Sequence, residues 1–245
     1  MKTFLLLLPP LLSLCACGDG DSAGQQPGAA GAAGAAGASA ARCASERTTL
    51  LGSVDAVAPT DVKVVSAQGE VKTLYVDASA GGPAAGGGAP AAAPWVYLAL
   101  ERGEKAPVTD VTALTSTAWD LALRRASVYV NSGDGGPGVG GAVLLTKDFD
   151  AVTSADVAGA TFATEAFFDA SCAPKVDGSG AVETTLSAWY SYDPATHSVS
   201  PAPGTWLVRG ATGGHYKVKF ETYHGTPEGG EGTVNGRYLL RVGAL

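Results

Sequence analysis

Methionine is nearly missing from this chain: Met1 is the only one in 245 residues. Histidine is scarce, with three copies, and cysteine stops at four. No CxxC and no paired-His spacing accompanies them, which excludes a zinc site. Charged residues make up only 16% of the sequence, with 16 Lys and Arg against 23 Asp and Glu and a formal charge of −7. Nothing concentrates the cations that neutralise a phosphate backbone, so nucleic acid is excluded as a partner. A long apolar run is also lacking. Phe4 to Leu14 has 11 residues and is interrupted by Pro9-Pro10, well short of the ~20 a spanning helix needs. P-loop, GxSxG, HExxH and EF-hand patterns are absent, and His197, His215 and His224 are scattered. The chain carries no enzyme signature.

Glycine and proline are abundant: 34 and 14 residues, about a fifth of the chain, against an ordinary ~12%. Both are poor in helix interiors, which excludes a helical bundle or coiled coil. An apolar content of 46% still supplies a core. At the N-terminus, Met1-Lys2-Thr3 gives a basic start and Phe4–Leu14 an apolar segment, the pattern of a signal peptide. Leu14-Cys15-Ala16-Cys17-Gly18 then fits lipoprotein processing, with Leu14 three before Cys17 and small Ala16 directly before it. Cys15 fits worse, because bulky Leu14 precedes it. Residues 1–16 are therefore predicted to be removed and Cys17 to carry the lipid; an ordinary secreted protein cut nearby is the alternative. Gly18 in place of Asp is compatible with onward export, so a lipid-anchored place in the bacterial cell envelope, at the outer membrane, is expected.

Asp19 to Ala41 is Gly, Ala and Ser with acidic residues at its head, too poor in bulky apolar groups to offset its ordering entropy. Residues 17–44 read as a disordered, flexible tether and residues 45–245 as one β domain. A second low-complexity run, 79–94, reads as a surface loop within that domain. Outside the cytosol the two remaining cysteines, Cys43 and Cys172, are expected to pair. A bridge closing so long a loop contributes roughly 4 kcal/mol on the entropy model; two separate buried thiols are the alternative.

The domain reads as strands. Val62–Val65 and Val71–Val76 alternate around Gln68-Gly69, a hairpin pattern. Trp95–Leu100 is continuously apolar, as in a strand buried on both faces. Ser127–Asn131, Ala142–Leu145, Thr205–Arg209, Tyr216–Tyr223 and Gly232–Val242 follow, and in 115–125 the alternation of Trp119, Leu121 and Leu123 favours strand. Turn-linked strands without amphipathic helices predict an antiparallel, sandwich-like all-β domain. Gly133-Asp134-Gly135-Gly136-Pro137-Gly138 matches GxGxxG, but the next segment is a strand, not the helix a dinucleotide site requires. It reads as a glycine hairpin loop. Arg124 and Arg125 should face opposite ways, one pairing with Asp120 or a neighbouring strand and the other in solvent. Glu228 and Glu231 read as solvated turn residues. Trp95, Trp119, Trp189 and Trp206 could line a pocket for a flat ligand or be core.

Trp119-Asp120-Leu121-Ala122-Leu123-Arg124-Arg125, Val130-Asn131-Ser132-Gly133 and Gly140-Gly141-Ala142-Val143 resemble the signature of the HmuY family of haem-binding lipoproteins. Val208-Arg209-Gly210-Ala211, Tyr216–Phe220, Tyr223, Gly232-Thr233-Val234 and Tyr238 extend the resemblance, which covers about Trp95 to Val242. It implies a mostly β, outer-membrane-attached or shed protein that takes haem b between two loops and passes it to a TonB-dependent receptor, without catalysis. The second family ligand loop aligns with Trp189-Tyr190-Ser191-Tyr192-Asp193-Pro194, placing Tyr192 where a His would be. The first aligns near Asp177-Gly178-Ser179, which offers a Ser and no iron ligand. Methionine ligation, used by some relatives, is ruled out because Met1 leaves with the signal peptide. Tyrosine binds ferric haem as phenolate. Tyr192 is thus the expected iron ligand, with His197, five residues on, as the other candidate ligand and Trp189 and Tyr190 as further haem contacts; a structural role for Tyr192, packed at a strand end, is the alternative. The competing expectation is a surface lipoprotein of the same fold that binds no haem and serves as a protein- or glycan-interaction or structural module.

Overall fold

The computed structural model describes residues 43–81, 93–178 and 180–245. The signal peptide, Cys17, nearly all of the tether and residues 82–92 of the low-complexity run lie outside the described residues.

The predicted alternation is realised as strands. A hairpin of β1 (Val62–Gln68) and β2 (Val71–Asp77) turns at Gly69, whose φ of +59° suits glycine. β3 (Val96–Ala99), β4 (Glu104–Lys105), β5 (Leu121–Arg124) and β6 (Ser127–Val130) form a small sheet in the order β4-β3-β5-β6. After β7 (Gly141–Leu145) come β8 (Tyr190–Asp193) and β9 (Ser198–Pro201), which pair only with each other. β10 (Thr205–Arg209), β11 (His215–Thr222) and β12 (Arg237–Ala244) complete a six-stranded sheet in the order β1-β2-β12-β11-β10-β7. The strand pairs are antiparallel. Within 115–125 the chain makes a 3-10 turn at Thr112–Thr115 and enters β5 only at Leu121.

Two cores explain the apolar patterning. Leu74, Val76, Val208, Val218, Phe220, Leu240 and Val242 of the large sheet share one buried cluster with Val96, Leu98, Leu121, Leu123, Val128 and Val130 of the small one. The alternate residues of the small sheet, Tyr97, Ala122 and Tyr129, join Trp95, Trp119, Phe167, Phe168 and Leu51 in a second cluster. Its rings meet edge to face, Trp95 with Tyr129 at 4.7 Å and Tyr97 with Trp119 at 4.9 Å. Such pairs add about 0.5–1.5 kcal/mol beyond their buried area. The small sheet is therefore covered on both faces, which is why Trp95–Leu100 is continuously apolar. The second face is closed by α1 (Ala44–Leu51) and the chain around Phe167, and the Cys43–Cys172 disulfide joins these covers across 129 residues of sequence.

The glycine-rich stretch departs from expectation. Residues 131–140 do not form a hairpin loop; they carry the chain from β6 in the small sheet to β7 in the large one. The crossing is buried: Asn131, Ser132 and Asp134 are each at most 2% exposed. Asn131 donates from Nδ2 to the carbonyls of Ser116 and Trp119, at 2.9 and 2.8 Å, and its Oδ1 accepts from Gly138 N at 2.9 Å. Arg47 of α1 is buried on the same stretch, donating to the carbonyls of Asp134 and Gly135 at 2.9 and 3.0 Å. Gly133 has φ +53°, and a Cβ there would lie 2.0 Å from the Glu165 carbonyl oxygen.

Neither adjacent arginine pairs with Asp120. Arg124 is buried, donates to the Leu51 carbonyl at 2.8 Å and lies over the Trp95 ring at 4.3 Å. Arg125, at φ +51° in the β5–β6 turn, reaches the Ser79 carbonyl and is half-buried instead of solvated. Asp120 instead accepts from Leu100 N and Ala211 N, both at 2.8 Å, and so links the small sheet to the β10–β11 turn. Burial pushes its carboxyl above the ordinary range, against these two hydrogen bonds.

Candidate functional site

The β8–β9 hairpin is rooted by an aromatic anchor. Trp189 ends the 3-10 turn Ser187–Trp189 and is 1% exposed. It stacks on Phe220 at 4.7 Å, lies against Tyr238 at 5.2 Å and Tyr223 at 5.5 Å, and donates from Nε1 to the Ala126 carbonyl at 2.8 Å. Trp95, Trp119 and Trp206 are equally core residues. The pocket-lining reading of the tryptophans is therefore not realised, and Trp189 holds the hairpin instead of facing a ligand. Burial raises the Tyr223 phenol to about 12 and keeps Tyr238 protonated, as suits rings whose hydroxyls serve packing.

Beyond this anchor the hairpin is exposed, and its turn is locally determined. The Asp193 carboxylate accepts from Ala195 N at 2.9 Å and Thr196 Oγ1 at 2.8 Å, bonds that hold its carboxyl below the usual range. His197 then takes the left-handed conformation, φ +55°, which returns the chain into β9. This geometry brings His197 beside Tyr192, whose phenol oxygen is hydrogen-bonded to Nδ1 at 2.6 Å. Tyr192 is 52% exposed, the most exposed of the large apolar side chains described. A phenol and an imidazole thus meet on an open surface, a pair of donor atoms able to bind a ferric centre through oxygen or nitrogen.

Tyr190, two residues earlier on the strand, is half-buried against Trp189 at 4.8 Å. Its phenol is raised first by burial and then by the Asp177 carboxylate. Asp177 belongs to the short 176–182 turn, where Val176 and Val182 bridge and Val176 stays exposed. The structure brings Tyr192 and His197 together, leaves Trp189 in the core, and keeps His215 and His224 elsewhere: His215 lies beside Phe162 and His224 beside Asn235. Among the described residues no cluster of three or more His, Cys, Asp or Glu could hold a bare metal ion.

Sequence reasoning missed Glu165. Its carboxylate accepts from Val130 N at 2.9 Å, Thr185 Oγ1 at 2.6 Å and Thr185 N at 3.0 Å, under the segment that carries Asp177. Its signal was a single carboxylate within Thr161-Phe162-Ala163-Thr164-Glu165-Ala166-Phe167-Phe168, since an acid in an apolar run is buried at a cost unless it is bonded.

The protein is thus an antiparallel β-sandwich that carries its candidate site on short hairpins outside its two sheets. The sequence model of the HmuY protein family matches residues 91–238, more than half the chain, and the chain belongs to the HmuY family. An apo HmuY analog from Tannerella forsythia is similar at 16% identity and TM-score 0.45, covering 77% of this chain and 97% of that one. A Bacteroides vulgatus protein named as HmuY-like and haem-binding gives 16% and 0.45, with 74% and 97% covered. A Bacteroides fragilis protein named as a lipoprotein gives 18% and 0.42, with 73% and 91% covered. Among curated proteins nothing matches.

Proposed function

We propose that the chain is a non-catalytic haem- or porphyrin-binding protein of the bacterial envelope, acting in iron acquisition. Family membership supplies the ligand class, and one observation carries the site: the exposed Tyr192 phenol hydrogen-bonded to His197 Nδ1 on the β8–β9 hairpin. The donor set fits haem through a single protein ligand. Tyr192 supplies the phenol oxygen, His197 takes its proton at Nδ1, and the half-buried Tyr190 ring offers an apolar edge. When bound, haem supplies a ferric centre for which phenolate oxygen is a hard, anionic ligand. In this reading a lipid on Cys17 and the tether hold the domain at the outer membrane, from which haem passes to a TonB-dependent receptor.

The test is ferric haem titration of the purified, tag-free mature protein with Cys17 replaced by Ser. A Soret shift at micromolar haem is expected, lost in Tyr192→Phe and weakened in His197→Ala. Absence of any shift, or a shift unchanged in both variants, overturns the site and favours the protein- or glycan-interaction module.

A further inference from the structure

Glu165 occupies the point from which both hairpins of the candidate site are rooted. It is 3% exposed. Its backbone is tied to the buried crossing, its N–H donating to Ser132 Oγ at 3.2 Å and its carbonyl accepting from Asp134 N at 3.1 Å. Its side chain reaches across to Thr185, which accounts for two of its three accepted bonds. Residues 165–185 are thereby closed into a loop, start bonded to end. The Cys172 disulfide holds the middle of this loop to α1, the Asp177 turn lies near its far end, and Thr185 leads within a few residues to Trp189 and β8.

The third bond links this closure to the sheet. β6 is an edge strand, and its outward Val130 N–H and Val128 carbonyl have no neighbouring strand. The Glu165 carboxylate accepts from the first, and Thr184 Oγ1 donates to the second at 2.7 Å. Two side chains thus stand in for a missing strand, covering an edge that would otherwise be open. The group that holds this cover is an acid without a counter-charge. Among the described residues no Lys, Arg or His forms an ion pair with it. Asp134, from the crossing, is the charged group that faces it; β6 and Thr184–Leu186 bring only amide and hydroxyl donors. Arg47, the nearest cation on α1, is spent on the carbonyls of Asp134 and Gly135.

We propose that Glu165 is a protonation latch: its neutral form keeps the 165–185 loop closed on the β6 edge, and its ionisation loosens that loop, setting how firmly both hairpins of the candidate site are held. A neutral carboxyl suits a dry site facing another acid, whereas a carboxylate there gains by admitting water. Burial, with Asp134 adding, raises Glu165 from its ordinary range to about 7, against the three hydrogen bonds that favour its charge. A raised carboxyl contributes stability that is fully present at acid pH and is lost as pH rises through about 7. The loop is therefore held below neutrality and loosened above it. Any consequence for haem rests on the function proposed above; the latch itself does not.

Hydrogen exchange of the haem-free protein at pH 6 and pH 8, corrected for intrinsic rates, tests the latch. Protection of amides 166–186 should fall roughly tenfold between the two, as one proton lost across about one pH unit allows, while β11 and β12 are unchanged. Glu165→Gln should abolish the difference. Equal protection at both pH values, or a difference that survives in Glu165→Gln, overturns the latch. Should that variant fail to fold, carbon NMR of the wild-type glutamate carboxyls decides: one midpoint near neutrality supports the latch, and all midpoints in the ordinary carboxylate range refute it. Haem titration at the same two pH values forms a separate arm. An exchange difference with no Soret shift at either pH refutes the haem reading and leaves the latch standing.

Discussion

Two turn-rich connections of this chain look alike as sequence and behave oppositely in the fold. Residues 131–140 hold five of the chain's glycines and a proline, yet they are largely buried between sheets, bonded through Asn131, Asp134 and Arg47, and leave no room for a methyl group at Gly133. The 193–198 turn contains no glycine and forces a histidine into the left-handed region, yet it lies at the surface and is held by the Asp193 carboxylate and one Tyr–His bond. Glycine in the first case answers close backbone approach, not mobility. Candidate chemistry lies on the second, where few buried contacts hold the backbone and a ligand can reach it.

That contrast can be broken experimentally. The largest effect is expected from Gly133→Ala, whose Cβ would strike the Glu165 carbonyl in a left-handed conformation. A loss of about 4 kcal/mol or more is expected, read as a fall in the denaturant midpoint; a change below 1 kcal/mol would mean the crossing can relax. Next comes the disulfide. Replacing Cys43 and Cys172 by Ser should cost about 3 kcal/mol, and reductant should lower the wild-type melting temperature to match.

The pH dependence is smaller. Between pH 6 and 8 the raised Glu165 carboxyl should remove about 1 kcal/mol of stability, seen as a drop in the urea midpoint that Glu165→Gln no longer shows. The smallest stability effect belongs to the hairpin. Tyr192→Phe and His197→Ala should each stay within about 0.5 kcal/mol of wild type by chemical denaturation, while abolishing or weakening the haem binding proposed above. A large destabilisation there would make the hairpin structural and erase the difference between the two regions.

Much of the fold is legible along the chain because its causes are local. The alternation in Tyr216–Phe220, the Gln68-Gly69 turn and the unbroken Trp95–Leu100 run each name their strand or turn, and the unbroken run marks β3 as buried on both faces. That Tyr192 and His197 meet was not legible, since five residues of sequence do not say that His197 turns back through the left-handed region. The burial of Trp189 was not, since a tryptophan beside two tyrosines reads equally as pocket wall or anchor until Phe220 and Tyr238 are seen against it. Arg124 and Asp120 looked like natural partners four residues apart, but a strand separates them and each finds backbone groups nearer by.

By itself the sequence determined the antiparallel β class and the pairing of two cysteines, since period and turn residues act over a few residues and cysteine number over the chain as a whole. Only the tertiary structure decided that the glycine stretch crosses between sheets, that Trp189 is an anchor, and that Glu165 bonds to Thr185 twenty residues on. Those outcomes depend on burial and on hydrogen-bond partners tens of residues apart, and desolvation, which raises Glu165, does not exist until the chain has folded around it.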